Sequence, residues 1–136
     1  MSNIEQTLSI IKPDAIERNL ENNIKAFLEK NDLKILKSKK IKINKEEASE
    51  FYKVHQTKPF YNDLCNYLSS GPIIVMILEG EDVVSRNREI MGATDPLNAK
   101  EGTLRKMYGI SIGKNSVHGS DSLESAKTEI GFFFDE

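Results

Sequence analysis

A single cysteine, Cys65, stands in the 136-residue chain. No internal disulfide can form, and an oxidising compartment has left no mark on the sequence. Neither histidine nor a second cysteine lies near Cys65 at metal-ligand spacing, so it reads as packing or surface filler. Charge of one sign is also missing: 19 Lys and Arg against 21 Asp and Glu give a formal net charge of -2. Proteins that grip nucleic acid carry a cationic excess that displaces counterions, so no specific nucleic-acid partner is expected. A local cluster of cations can still hold a small anion. Long apolar runs are absent too. The longest, Ile73 to Leu78, is far too short to span a bilayer, and Met1 to Lys12 lacks a signal-peptide core. The expectation is a cytoplasmic protein with no membrane partner. Repeats, linkers and low-complexity segments are lacking as well. The length suits one domain over residues 1–136 with a continuous core.

What is present alternates. Thr7 to Ile11 predicts a short strand ended by Pro13. Ile24, Phe27 and Leu28 recur at helical spacing within Glu21 to Lys30. Leu33, Ile35, Ile41 and Ile43 share one parity, which predicts a strand with one apolar face despite its lysines. Asn44 and Glu47 form a capping box for a helix that carries Phe51, Tyr52 and Val54 towards the corner Lys58-Pro59-Phe60. Leu64, Tyr67 and Leu68 lie on one side of a further helix. Ile73 to Leu78 predicts a central strand buried on both faces. Glu81 to Met91 reads as a helix with Val83, Val84, Ile90 and Met91 inward, stopped by Gly92. From Ala93 to Ser116 the periodicity fails, yet Leu104, Ile110 and Ile112 predict that this Gly- and Pro-containing loop is packed. A last short strand enters His118, and a helix follows from Ser122 to about Ile130. This order predicts an α+β (α/β) sandwich: a four-stranded antiparallel sheet of the split β-α-β, ferredoxin-like kind with helices packed on it.

Chemistry concentrates in Asn115-Ser116-Val117-His118-Gly119-Ser120-Asp121-Ser122-Leu123-Glu124. Asp121 (or Ser120) is a good N-cap, with Glu124 placed to complete a capping box. His118 then precedes a helix N-terminus, whose free amides and dipole welcome a phosphate. Gly119 allows close backbone approach beside the ring. On this segment alone, a capped turn in which His118 only hydrogen-bonds locally stays equally open. The sequence contains no P-loop, no Gly-rich kinase loop and no H-E-x-x-H.

The segment Asn115-x-x-His118-Gly119-Ser120-Asp121 resembles the signature of nucleoside diphosphate kinases. Ile11-Lys12-Pro13-Asp14-Ala15, Lys58-Pro59-Phe60, Arg88-x-x-x-Gly92-x-Thr94-Asp95-Pro96 and Gly102-Thr103-Leu104-Arg105 resemble that family in the same order and spacing. The likeness runs from about Thr7 to Phe133. It implies that a phosphoryl group passes from a nucleoside triphosphate, mainly ATP, to His118 and on to a nucleoside diphosphate. By the same resemblance Glu129 orients the imidazole, and Ser120 assists proton handling near the leaving oxygen. Lys12, Arg88 and Arg105 are matched to phosphate-binding cations, and Thr94 to a hydroxyl donor. Lys12 and Asn115 correspond to sugar-binding residues, with Tyr52 beside the lysine and Phe60 as the ring on which the base stacks. No carboxylate cluster offers a metal cage, so Mg²⁺ is expected to arrive with the phosphates. The family also implies a homo-oligomer, tetramer or hexamer.

Several residues depart from the family's habits: Glu101, Lys106-Met107-Tyr108, Lys114 and Asn19-Leu20-Glu21-Asn22. None removes a matched group. His55 reads as structural or surface. A catalytically silent nucleotide-binding scaffold of the same fold is the main alternative. A nucleic-acid-binding regulator is disfavoured by the charge balance.

Overall fold

The computed structural model describes residues 4–111 and 114–134. A four-stranded sheet in the order β2-β3-β1-β4 organises the molecule. Its strands are β1 (Ile4–Ile11), β2 (Lys34–Ile41), β3 (Ile73–Glu81) and β4 (Val117–Gly119). Every neighbouring pair is antiparallel. The split β-α-β arrangement expected from the sequence is therefore the fold. The apolar run of β3 explains its place inside the sheet: residues 73–78 are buried, which a strand covered on both faces requires.

Helices cover the two faces. They are α1 (Pro13–Glu17), α2 (Glu21–Lys30), α3 (Lys45–Phe51), α4 (Tyr61–Leu68), α5 (Val83–Met91), α6 (Leu104–Tyr108) and α7 (Leu123–Phe134). One core joins Ile11, Ile74, Met76, Leu78 and Val117 of the sheet to Ile24, Leu28, Val83 and Met91. The other joins Leu8, Ile10, Ile73 and Val75 to Ala48, Tyr52, Cys65, Leu68 and Phe133. Cys65 is wholly buried in this second layer.

Several expectations need correction. The parity predicted for Leu33, Ile35, Ile41 and Ile43 does not give one apolar face. The register of β2 on β3 skips between Ile35 and Lys37, and a bulge of one residue turns every later side chain to the other side. Leu33 and Ile35 thus pack in the first core, while Ile41 and Ile43 pack in the second. Glu81 is the last residue of β3 rather than the start of a helix. Asp82, at φ 49°, turns the chain into α5. The capping box of Asn44 and Glu47 forms as expected, but Val54 is 83% exposed. Within 93–116 a 3-10 turn at Pro96–Asn98 and the helix α6 are present. Leu104 there is buried, but Ile110 is 58% exposed. Ile112 and Gly113 lie outside the described residues. Helix α7 is capped by Ser122, whose Oγ accepts the Ser125 amide at 3.0 Å, rather than by Asp121 or Ser120. It also continues four residues beyond Ile130 to Phe134.

Candidate active site

His118 is placed by pairing: β4 lies against β1 with His118 opposite Ile10, on the face shared with α3, α4 and α7. Glycine is needed next in the chain because a Cβ on Gly119 would meet Asn87 Nδ2 at 2.4 Å and Met91 Cε at 2.7 Å. The close approach serves the packing of α5 against β4 rather than the imidazole itself. On the other side, the second turn of α7 brings Glu129 to the ring. His118 Nε2 and Glu129 Oε1 are 2.8 Å apart. A carboxylate only accepts, so Nε2 carries the hydrogen and the lone pair resides on Nδ1. Ser120 is fully buried. Its Oγ accepts the Leu8 amide at 3.3 Å and donates to Glu129 Oε1 at 2.8 Å. The serine therefore braces the carboxylate that anchors the ring.

A cleft of about 880 Å³ opens in front of the histidine, within the range of sites for small molecules. Lys12, Tyr52, Phe60, Arg88, Thr94, Arg105, Asn115 and His118 all line it. The structure thus brings together eight of the ten residues singled out from the sequence, with Glu129 and Ser120 behind the ring. Lys12 directly follows β1, and its Nζ donates to Asn115 Oδ1 at 2.9 Å. The Asn115 amide in turn donates to the Thr94 carbonyl at 3.1 Å. Burial, reinforced by the nearby Arg105 charge, lowers the Lys12 ammonium to about 8, against the opposing pull of Asp14. Arg105 is also lowered, to about 10, by burial and then by Arg88. Its Nη1 and Nη2 donate to the carbonyls of Gly92 and Val117 at 3.0 and 2.9 Å. Its Nε is buried without a partner. Burial pushes the Tyr52 phenol well up, with Cys65 and Glu129 adding to the shift, so it stays protonated. Asp121 lies at the rim with its carboxyl held below its ordinary value, chiefly by a hydrogen bond with Ser125.

Three cations and the free Nδ1 of an anchored imidazole facing one cleft suit the transfer of an anionic group. Comparison with known proteins decides between this and a silent scaffold. The family model described as nucleoside diphosphate kinase matches residues 5–136. The chain belongs to the nucleoside diphosphate kinase family. Among its relatives, the nucleoside diphosphate kinase of Persephonella marina is 56% identical over 131 residues, covering 96% of this chain and 94% of that one. The counterpart from Bartonella tribocorum is 53% identical over 133 residues, covering 98% and 95%. The crystal structure of the Aquifex aeolicus nucleoside diphosphate kinase superposes with a TM-score of 0.95 at 41% identity, over 97% of this chain and 96% of that one. The Halobacterium salinarum nucleoside diphosphate kinase, solved in complex with CDP, gives 0.94 at 39%, over 98% and 90%. As a member of this family the chain is a phosphotransferase, and the silent scaffold is set aside.

Several cleft residues escaped the sequence reading, among them Asp63, Asn66 and His55. His55, taken there as structural or surface, lines the cleft with its ring 6.3 Å from Tyr52 and 6.1 Å from Phe60. Its Nδ1 is buried without a partner. The available signal was its spacing of three residues from Tyr52, which places both on one side of a helical turn.

Proposed function

We propose that His118 Nδ1 is the nucleophile that carries phosphate from a nucleoside triphosphate to a nucleoside diphosphate. The observation supporting this most directly is the Nε2–Glu129 contact, which leaves Nδ1 with a lone pair in front of three cations. In the first half-reaction Nδ1 attacks the γ-phosphorus. The N–P bond forms, the bond to the oxygen bridging to the β-phosphate breaks, and the diphosphate leaves with those electrons. Glu129 keeps the Nε2 hydrogen and balances the positive charge that develops on the ring. Ser120 holds the carboxylate oriented through its own hydrogen bond. The second half-reaction runs the same steps in reverse with a different diphosphate, which makes the route ping-pong.

Arg88, exposed on α5, and Arg105, fixed by two carbonyls, flank the transferring group. Electrostatic stabilisation of this kind is the main task in phosphoryl transfer. Lys12, Asn115 and Thr94 form one hydrogen-bonded chain, suited to sugar hydroxyls and phosphate together. Phe60, 46% exposed, offers a face for the base, and stacking supports purines and pyrimidines alike. Tyr52 and His55 complete the wall between base and phosphates. No three of His, Cys, Asp or Glu gather as a metal cage among the described residues. The cationic cleft fits magnesium only as a passenger on the nucleotide phosphates, where it would neutralise charge on their oxygens. No helix among the described residues is long and apolar enough to cross a membrane. The ordinary charge balance and unpaired Cys65 support a cytoplasmic site, and the family supports a homo-oligomer, tetramer or hexamer, of this single 1–136 domain.

The test is incubation with γ-labelled ATP and Mg²⁺ without acceptor, followed by a GDP chase. The expected outcome is an acid-labile, base-stable label on the protein that moves to GTP. A folded protein that takes no label refutes the proposal.

A further inference from the structure

We propose that Phe51 is a positioning residue for the His118 ring, an inference that rests on the nucleophile assigned above. Phe51 ends α3 and presents its ring to the imidazole edge-to-face, with centroids 5.2 Å apart and planes at 72°. It is not part of the cleft lining, so it touches the nucleophile without standing where a nucleotide would bind. The hydrogen bond to Glu129 fixes one point on the imidazole. A single pivot still leaves rotation about the line through Nε2, and an aromatic wall against the ring removes that freedom.

The wall itself is held. Phe51 packs on Tyr52 at 5.1 Å, on Phe133 at 5.2 Å and on Phe132 at 5.8 Å. The last two belong to the final turn of α7, the helix that also carries Glu129. That turn is secured to the sheet by Lys39, whose Nζ donates to the Phe133 carbonyl at 2.5 Å and lies 4.7 Å from the centre of the Phe134 ring. At the other end, the Asn44–Glu47 capping box sets the start of α3. Both contacts on His118 therefore depend on α7, one through Glu129 directly and one through Phe51 packed on its last turn. The second matters most once Nδ1 bears a phosphoryl group, because a turned ring would carry phosphorus out of line with the incoming diphosphate. Misplacement of a reacting atom by about 1 Å costs on the order of 10²-fold in rate.

The chain contains two histidines, so their ring nitrogens can be followed separately by ¹⁵N NMR, with His118→Ala supplying the assignment. The wild type is expected to show one sharp, Nε2-protonated tautomer for His118. Phe51→Met, close to volume-conserving, is expected to lower the label-transfer rate about tenfold, leave nucleotide Kd within about twofold, and broaden the His118 signals. Phe51→Tyr is expected to restore both rate and line shape. An unchanged rate in folded Phe51→Met overturns the proposal. So does a wild-type ring that already averages between orientations, a measurement that needs no variant to fold. If wild-type protein takes no label at all, the nucleophile assignment fails instead, and the two failures are distinct.

Discussion

The two faces of the sheet are built from different material. On the side of α2 and α5 the buried cluster is aliphatic, namely Ile11, Ile24, Leu28, Leu33, Leu78 and their neighbours, with Phe27 and Tyr108 packed only at its edge. On the side of α3, α4 and α7 the layer contains Tyr52 and Phe133, with Phe51, Tyr61 and Phe134 packed against it. Aliphatic chains fill space without direction, whereas aromatic rings impose preferred angles on what they touch. His118 projects to the aromatic side. The comparison teaches that the aliphatic core supplies stability and carries Arg88 on its helix α5, while the aromatic layer supplies stability and the fixed geometry of the His118 ring.

Substitutions on each side can break that comparison. The largest effect is expected for His118→Ala, which should lose the phosphoenzyme label and lower activity more than about 10⁴-fold. Its melting temperature should stay close to that of the wild type, because the residue is partly exposed, and a thermal scan beside the activity assay checks both. Leu28→Ala on the aliphatic face should do the opposite. A cavity there costs about 3 kcal/mol, a change of about 10²-fold in the folding equilibrium, while the folded fraction keeps its kcat. Urea titration with parallel kinetics decides this, and a large loss of kcat would contradict the division of labour.

At the cleft, Phe60→Ala should raise KM about tenfold for every nucleotide tried, since stacking contributes about 1–3 kcal/mol whichever base is present. A gentler effect belongs to pH. Lys12 is lowered to about 8, so in the free enzyme its charge is lost as pH rises through that value. The logarithm of kcat/KM should then fall with a slope approaching -1, and Lys12→Arg should flatten that limb. The sign for stability is reversed. Between about 8 and the ordinary lysine value of 10.5, the unfolded chain binds a proton that the native state has released, so unfolding free energy increases with pH there. Denaturant titrations at pH 8 and 10 test this contribution against Lys12→Met.

Much of the fold was legible because its elements obey simple periods. The unbroken apolar stretch of β3, the spacing of Ile24 and Leu28, and the glycine stop at Gly92 each have a local cause. The bulge in β2 had no such mark. Leu36 looks like any strand residue, and only pairing with β3 shows that it is passed over. Helix α6 was hidden for a related reason, since a five-residue helix between glycines is too short to display a period. In the site, the motif around His118 and the cations could be aligned with a family. The partnership with Glu129 could not be derived from local pattern, because ten residues and a helix start intervene. The bond from Ser120 to Glu129 was hidden for the same reason.

The skipped residue in β2 gives this strand something like a reading frame. Ile35 and Ile41 have the same parity in sequence but serve opposite layers. Removing Leu36 alone would make Ile35 and Lys37 neighbours and leave both halves of the strand with their present partners on β3, whereas removing a residue between Lys37 and Ile41 would put the rest of the strand out of phase. A slip in that second half would carry Lys39 away from the last turn of α7. An insertion compensated by a nearby deletion would disturb only the residues between the two. Tolerance to length changes along this edge is thus governed by phase rather than by composition, and the same single-residue slip would be felt as far away as the helix that holds Glu129.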